Sequence, residues 1–277
     1  MKRIYLFCIL LTALLLAACG GTTRTDKRTI TVSIEPLRYF TEQIAGNKFR
    51  VNTMVPGGGN PETYEPTARQ MVALSHSDLF IKVGDLGFER TWMKRLERNA
   101  PHTIIMNSST DIPFQGNEHE HSDPHTWMSA ANARQIAHNI YRALAGIDSR
   151  DSLYFKQNLE SLLEEIDQTN SQVRQAITKD KTATFLIYHP SLTYFAKEYG
   201  LKQIAIEEHG REPSAAQLKQ IIATAQQEKV KVIFVQREFD SRNTHIVAQS
   251  TGAKKVTINP LSYHWHKEML KIAQSLK

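Results

Sequence analysis

Three histidines fall within seven residues in the run Glu118-His119-Glu120-His121-Ser122-Asp123-Pro124-His125-Thr126-Trp127, interleaved with acids. Imidazole nitrogens and carboxylate oxygens are the donors that hold zinc and its first-row neighbours. Pro124 fixes its own φ and biases Asp123 toward extended backbone, so His125 is presented from a stiff turn. Ser129 then reads as a helix N-cap, with Ile136, Ala137, Ile140, Tyr141 and Leu144 as an apolar stripe behind it. A polar loop before a helix would account for this run taken alone, so the rest of the chain must decide.

The elements around it alternate. Strands are expected over 28–34, 49–55, 79–83 and 103–106, with helices over 36–46, 67–75 and 89–98 between them. After a helix beginning near Ala130, the pattern restarts with strands over 182–188, 203–206, 230–235 and 255–258 and helices over 192–199, 214–228, 243–250 and 266–276. Strand–helix alternation argues for α/β architecture with largely parallel sheets. Between the two series runs a stretch over 152–177 without Gly or Pro, striped by Leu159, Leu162, Leu163, Ile166, Val173 and Ile177. At 1.5 Å per residue it would reach about 40 Å, longer than a crossover needs, and it reads as a rigid strut. The expected organisation is a signal over 1–18, a tether over 19–27, an N-terminal lobe over 28–150, a linking helix over 151–178 and a C-terminal lobe over 179–277.

Open α/β sheets bind ligands outside the carboxyl ends of their strands. Four residues are expected there: Glu62 after the Gly-rich turn Pro56-Gly57-Gly58-Gly59-Asn60-Pro61, His125, His189 ahead of Pro190, and His264 after Ile258. Two from each lobe would close a four-donor site in the cleft, a nitrogen-rich set suited to zinc. His119 and His121 are candidates for auxiliary metal capture, although a solvated loop explains them equally. Glu207-Glu208-His209 is another near-site possibility, but the Gly210-Arg211-Glu212 that follows suggests a surface turn.

Composition narrows the rest. The 277 residues, 41% hydrophobic and 22% charged, suit a folded chain with a substantial core, and the net charge of +6 is spread rather than clustered, which argues against nucleic acid as a partner. Lys2 and Arg3 precede an apolar run over 4–16 and then Leu16-Ala17-Ala18-Cys19, a secretory signal too short to span a bilayer. Cys19 after small residues resembles a bacterial lipobox, implying cleavage before it and lipid on its thiol. Cys8 leaves with the signal, so the mature chain has neither an internal disulfide nor a thiolate metal site.

Val55-Pro56-Gly57, Asn60-Pro61-Glu62-Thr63-Tyr64-Glu65-Pro66-Thr67, Asp123-Pro124-His125-Thr126-Trp127-Met128, Tyr188-His189-Pro190-Ser191, Gly210-Arg211-Glu212-Pro213-Ser214 and Asn259-Pro260-Leu261 together resemble the zinc and manganese substrate-binding proteins of bacterial ABC importers. The resemblance spans nearly all of the mature chain. It implies two α/β lobes bridged by a long helix, a Zn²⁺ or less readily a Mn²⁺ ion between them, an ABC permease as partner, and a monomer anchored by lipid outside the cytoplasm. The family's first ligand is normally histidine where this chain has Glu62, and its fourth a carboxylate where this chain has His264. Those two positions are therefore expected to have exchanged roles, with His266 the alternative if the alignment shifts by two. The rival functions are a zinc-dependent hydrolase, which would need a nearby general base and lacks an H-E-x-x-H pair here, and a metal-binding surface adhesin lipoprotein.

Replacing Cys19 with Ser is expected to abolish lipid attachment while leaving metal binding unchanged. Metabolic labelling with palmitate checks this, and label retained on Cys19→Ser would disprove the lipobox reading.

Overall fold

The computed structural model describes residues 27–113, 123–177, 184–207, 211–236, 239 and 242–276. The signal, Cys19, nearly all of the tether, His119, His121 and His209 lie outside them. The first half builds β1 (Thr29–Val32), α1 (Glu35–Ala45), β2 (Arg50–Thr53), α2 (Ala68–Ser75), β3 (Leu79–Lys82), α3 (Gly87–Asn99) and β4 (Ile104–Asn107). After α4 (Ala130–Ile147) and α5 (Ser152–Ala176), the second half builds β5 (Thr184–Ile187), α6 (Thr193–Tyr199), β6 (Lys202–Ala205), α7 (Ala215–Gln227), β7 (Val232–Gln236), α8 (Arg242–Thr251), β8 (Lys254–Ile258) and α9 (Trp265–Gln274).

Two four-stranded sheets result, ordered β2-β1-β3-β4 and β6-β5-β7-β8, with every pairing parallel. The central strands β5 and β7 are buried along their whole length, as expected where helices cover both faces of a parallel sheet. Strand order reverses between β1 and β3 and again between β5 and β7, which opens a crevice at the carboxyl ends of each pair. In the first sheet Glu89 fills that crevice, accepting from the Ser33 hydroxyl and from the backbone N–H groups of Val83 (2.8 Å), Gly84 (2.7 Å) and Leu86 (3.4 Å). Burial holds its carboxyl above the usual carboxylate range, although all four donors pull the other way. The first two strands end at Val32 and Thr53, short of their expected ends, although Met54 N and Val55 N still donate to Val32 O (2.8 Å) and Ser33 O (3.0 Å).

Helix α5 has the expected length and place. Phe155, Leu159, Leu162, Ile166, Thr169, Val173 and Ala176 form its buried stripe, which packs on α1 and α4 of the first half and on α9 of the second. A single apolar core follows it from Phe40 and Phe155 through Trp127 and Trp265 to Phe185 and Phe234. The opposite face of the second sheet, with Leu186, Ile233 and Val235, packs separately against α7 and α8, as strand alternation requires. Among the described residues no helix is long and apolar enough to cross a membrane.

Two tryptophans tie the halves together. The indole of Trp127 donates to the carbonyl of Pro260 at 2.8 Å, and the indole of Trp265 donates to the carbonyl of Trp127 at 2.7 Å. Both rings are fully buried, so neither carbonyl has water as a substitute partner. Trp127→Phe keeps most of the apolar contact but strands the Pro260 carbonyl, and is expected to cost about 1–3 kcal/mol. Urea unfolding followed by far-UV circular dichroism measures it; an unchanged midpoint would mean that the bond contributes nothing net.

Candidate metal centre

Glu62 reaches the centre on a loop that is pinned at several points. Asn60 Oδ1 accepts from Glu62 N at 2.9 Å, and Phe88 N donates to Pro61 O at 3.0 Å, setting the loop on the first turn of α3. The approach is close enough that only glycine fits at position 87: a Cβ there would lie 2.2 Å from the Glu62 carbonyl oxygen and 2.7 Å from its Cα. Arg90, one turn into α3, has Nη2 3.5 Å from Glu62 Oε2. The other oxygen, Oε1, is buried and has no hydrogen-bond partner among the described residues. A carboxylate oxygen left so is unfavourable unless a cation meets it.

His125 is 5% exposed. Asp123 Oδ1 accepts from its backbone N at 2.8 Å and faces its ring Nδ1 at 2.7 Å, so the stiff Asp-Pro turn both closes on itself and orients the imidazole. Burial is the largest influence on this ring and lowers its pKa, but Asp123, with Glu62 and Glu207 behind it, more than offsets that and holds His125 above the ordinary imidazole value. Asp123 responds in the opposite sense: burial would raise it, and the neighbouring imidazole holds it below its usual value. His189 follows β5 directly; its Nδ1 lies 3.2 Å from Glu207 Oε1 and its ring stacks on Phe239 at 4.7 Å between centroids. Each imidazole thus has Nδ1 against a carboxylate, the arrangement by which outer carboxylates orient metal-binding histidines through the other ring nitrogen.

One ligand atom from each of Glu62, His125 and His189 lies within 4.8 Å of the other two. They line a cavity of about 20 Å³, room for one ion or water, together with Asn60, Ser191, Gln236, Pro260 and Leu261. A groove of about 470 Å³ between β2 and α2 is larger but is lined by no histidine.

Three of the four expected residues therefore meet, and His264 does not. Strand β8 ends at Ile258, and it is Pro260 and Leu261 that reach the cavity. By His264 the chain has turned to start α9, where this residue is the N-cap, exposed, with its ring against Tyr263. His266 does not reach the cluster or line the cavity either; it sits on α9 with its Nδ1 3.2 Å from Glu165 on α5. The structure thus does not bring His264 together with Glu62, the residue with which it is expected to exchange roles. Of the two readings open for Glu207, the structure places it beside the site and not on a surface turn: it is 6% exposed and faces His189. It sits two residues past β6, so the strand-end rule would have found it. Gln236, the last residue of β7, was open to the same rule. It is 3% exposed, and its Nε2 donates to Ser191 Oγ at 2.7 Å and to the His189 carbonyl at 3.3 Å.

A sequence model of the family described as "ZnuA: Zinc-uptake complex component A periplasmic" matches residues 30–273. The chain is 29% identical over 281 residues to the high-affinity zinc uptake system protein ZnuA of Bacillus subtilis (strain 168), covering 92% of this chain and 88% of that protein. It is 27% identical over 265 residues to the manganese ABC transporter substrate-binding lipoprotein PsaA of Streptococcus pneumoniae serotype 4 (strain ATCC BAA-334 / TIGR4), covering 89% and 85%. Among solved structures, a crystal structure of ZnuA is similar with a TM-score of 0.86 at 34% identity, over 90% of this chain and 97% of that one.

Gly87→Ala tests how Glu62 is seated. The added methyl must push the Glu62 backbone away, and a donor atom needs to hold within about 0.5 Å of its place, so metal affinity is expected to fall at least about tenfold. Competitive titration against a chromophoric chelator measures it, and wild-type affinity in Gly87→Ala would show that α3 does not position Glu62.

Proposed function

Because the chain belongs to the family of periplasmic zinc-uptake complex component A proteins, we propose that it captures Zn²⁺ outside the cytoplasm and hands it to an ABC permease. The family is one of solute-binding proteins of metal uptake, not of enzymes. Zinc as the cargo, delivery to the permease and the lipid anchor on Cys19 are part of this reading. In it residues 28–150 and 179–277 are the lobes, 151–178 the brace, and 1–18 and 19–27 the signal and tether of a monomer.

What supports the reading most is the convergence of Glu62, His125 and His189 on a cavity the size of one ion, with Glu62 Oε1 unsatisfied there. Two neutral imidazoles and one carboxylate form a borderline-soft set that suits Zn²⁺, whereas Mn²⁺ favours oxygen donors. The family includes a carrier named for manganese, so the donor chemistry is the reason to prefer zinc.

The mature protein, stripped of metal, is expected to gain about 4 kcal/mol of stability when free zinc exceeds Kd about 1000-fold. This gain should depend on pH with a definite sign. Zinc must displace any proton from His125, whose folded pKa is raised, so affinity falls as pH drops through that raised value, earlier than for an ordinary imidazole. In the metal-free protein the same raised pKa stabilises the fold at low pH, and that contribution is lost as pH rises through it. The zinc-induced rise in melting temperature should therefore grow steadily between about pH 5.5 and 8, where imidazoles titrate. No shift at any pH would sink the proposal.

A further inference from the structure

Three donors leave a four-coordinate ion short of one, and among the described residues no fourth His, Cys, Asp or Glu joins the cluster. We propose, building on the metal-carrier reading above, that Gln236 supplies the fourth donor through its side-chain amide oxygen. The residue ends β7 at the reversal of strand order in the second sheet and lines the cavity beside Glu62, His125 and His189. Its orientation is fixed by its neighbours. The His189 carbonyl can only accept a hydrogen bond, so the atom facing it at 3.3 Å must be the amide nitrogen, which also donates to Ser191 Oγ at 2.7 Å. The amide oxygen is thereby turned away from both partners. It is buried, and no hydrogen-bond donor meets it among the described residues. A buried carbonyl-type oxygen without a donor costs free energy unless something positive reaches it, and the adjoining cavity holds one ion.

This donor is neutral, so the ion keeps Glu62 as its one anionic ligand and the loaded centre stays at net +1. It also brings an oxygen from the end of β7, beside the nitrogen that His189 offers past the end of β5. An alternative role must be separated from this one: Gln236 could act only through its nitrogen, bracing the His189 and Ser191 backbone. The two roles part company in Gln236→Leu and Gln236→Glu. Both variants lose the amide N–H that faces the His189 carbonyl, so a bracing role weakens binding in both. A donor role weakens it in Gln236→Leu alone, because Gln236→Glu keeps an oxygen at the same place and adds a charge that attracts the dication.

The experiment is competitive zinc titration of the wild type and both variants at pH 7.5, with melting of each metal-free protein as the check on folding. Gln236→Leu is expected to bind at least about tenfold more weakly than wild type, and Gln236→Glu at least as tightly as wild type. Wild-type affinity in Gln236→Leu overturns the inference, and so does Gln236→Glu binding more weakly than wild type. If Gln236→Leu does not fold, Gln236→Glu decides alone. A wild type that binds no zinc overturns the functional reading and this inference with it, whereas the variant outcomes leave that reading standing.

Discussion

A buried imidazole can offer a nitrogen to an ion only when its other nitrogen is committed elsewhere, and in this protein Asp123 and Glu207 make that commitment for His125 and His189. Without a partner each ring would swing between rotamers and tautomers, and burial alone would lower its basicity. With it, both rings are held at the wall of the cavity. The arrangement places three carboxylates, those of Glu62, Asp123 and Glu207, about two imidazoles, an excess of negative charge that a dication relieves. The raised basicity of His125 measures the same field as felt by a proton instead of a metal.

The fold supplies the rigidity this needs by supporting all the donors but His125 from a regular element. Glu62 stands on the first turn of α3, whose own start is held by Glu89 inside the crevice of the first sheet. The route from sheet to donor is short: Glu89 to the turn before α3, Gly87 to the backbone of Glu62. His189 leaves β5 without an intervening loop, and Gln236 ends β7 beside it, so the second sheet sets both. His125 belongs to neither sheet, and the Asp123-Pro124 turn and the Trp127 indole fix it instead.

The halves meet directly behind the ion cavity. Trp127 follows His125 by two residues and Pro260 lines the cavity, so the hydrogen bond between them joins the wall of the site to itself across the two halves. Trp265 returns the contact, and α5 packs on both sides of the seam. A buried indole N–H and a buried carbonyl are costly to separate without water, so this seam resists opening more than its area suggests.

Much was legible before any tertiary contact was known. Strand–helix alternation, the long Gly- and Pro-free stripe of α5, the stiff turn ahead of His125 and the placing of His189 between a core strand and a proline are all local patterns, set by side-chain period and backbone sterics within a few residues. They led to the α/β class, the linking helix and three residues that the structure brings within reach of one another. The places of His264 and Glu207 were not legible in this way, because they depend on where a loop goes after its strand ends. Both follow strands and both carry suitable chemistry; six residues of chain carry His264 onto the exposed start of α9, while two residues leave Glu207 buried against His189. Gln236 was passed over because an amide in a strand announces no charge, and its free oxygen exists only because His189 and Ser191 occupy its nitrogen. Convergence of side chains from distant segments is a property of three-dimensional packing, and spacing along the chain carries no direct record of it.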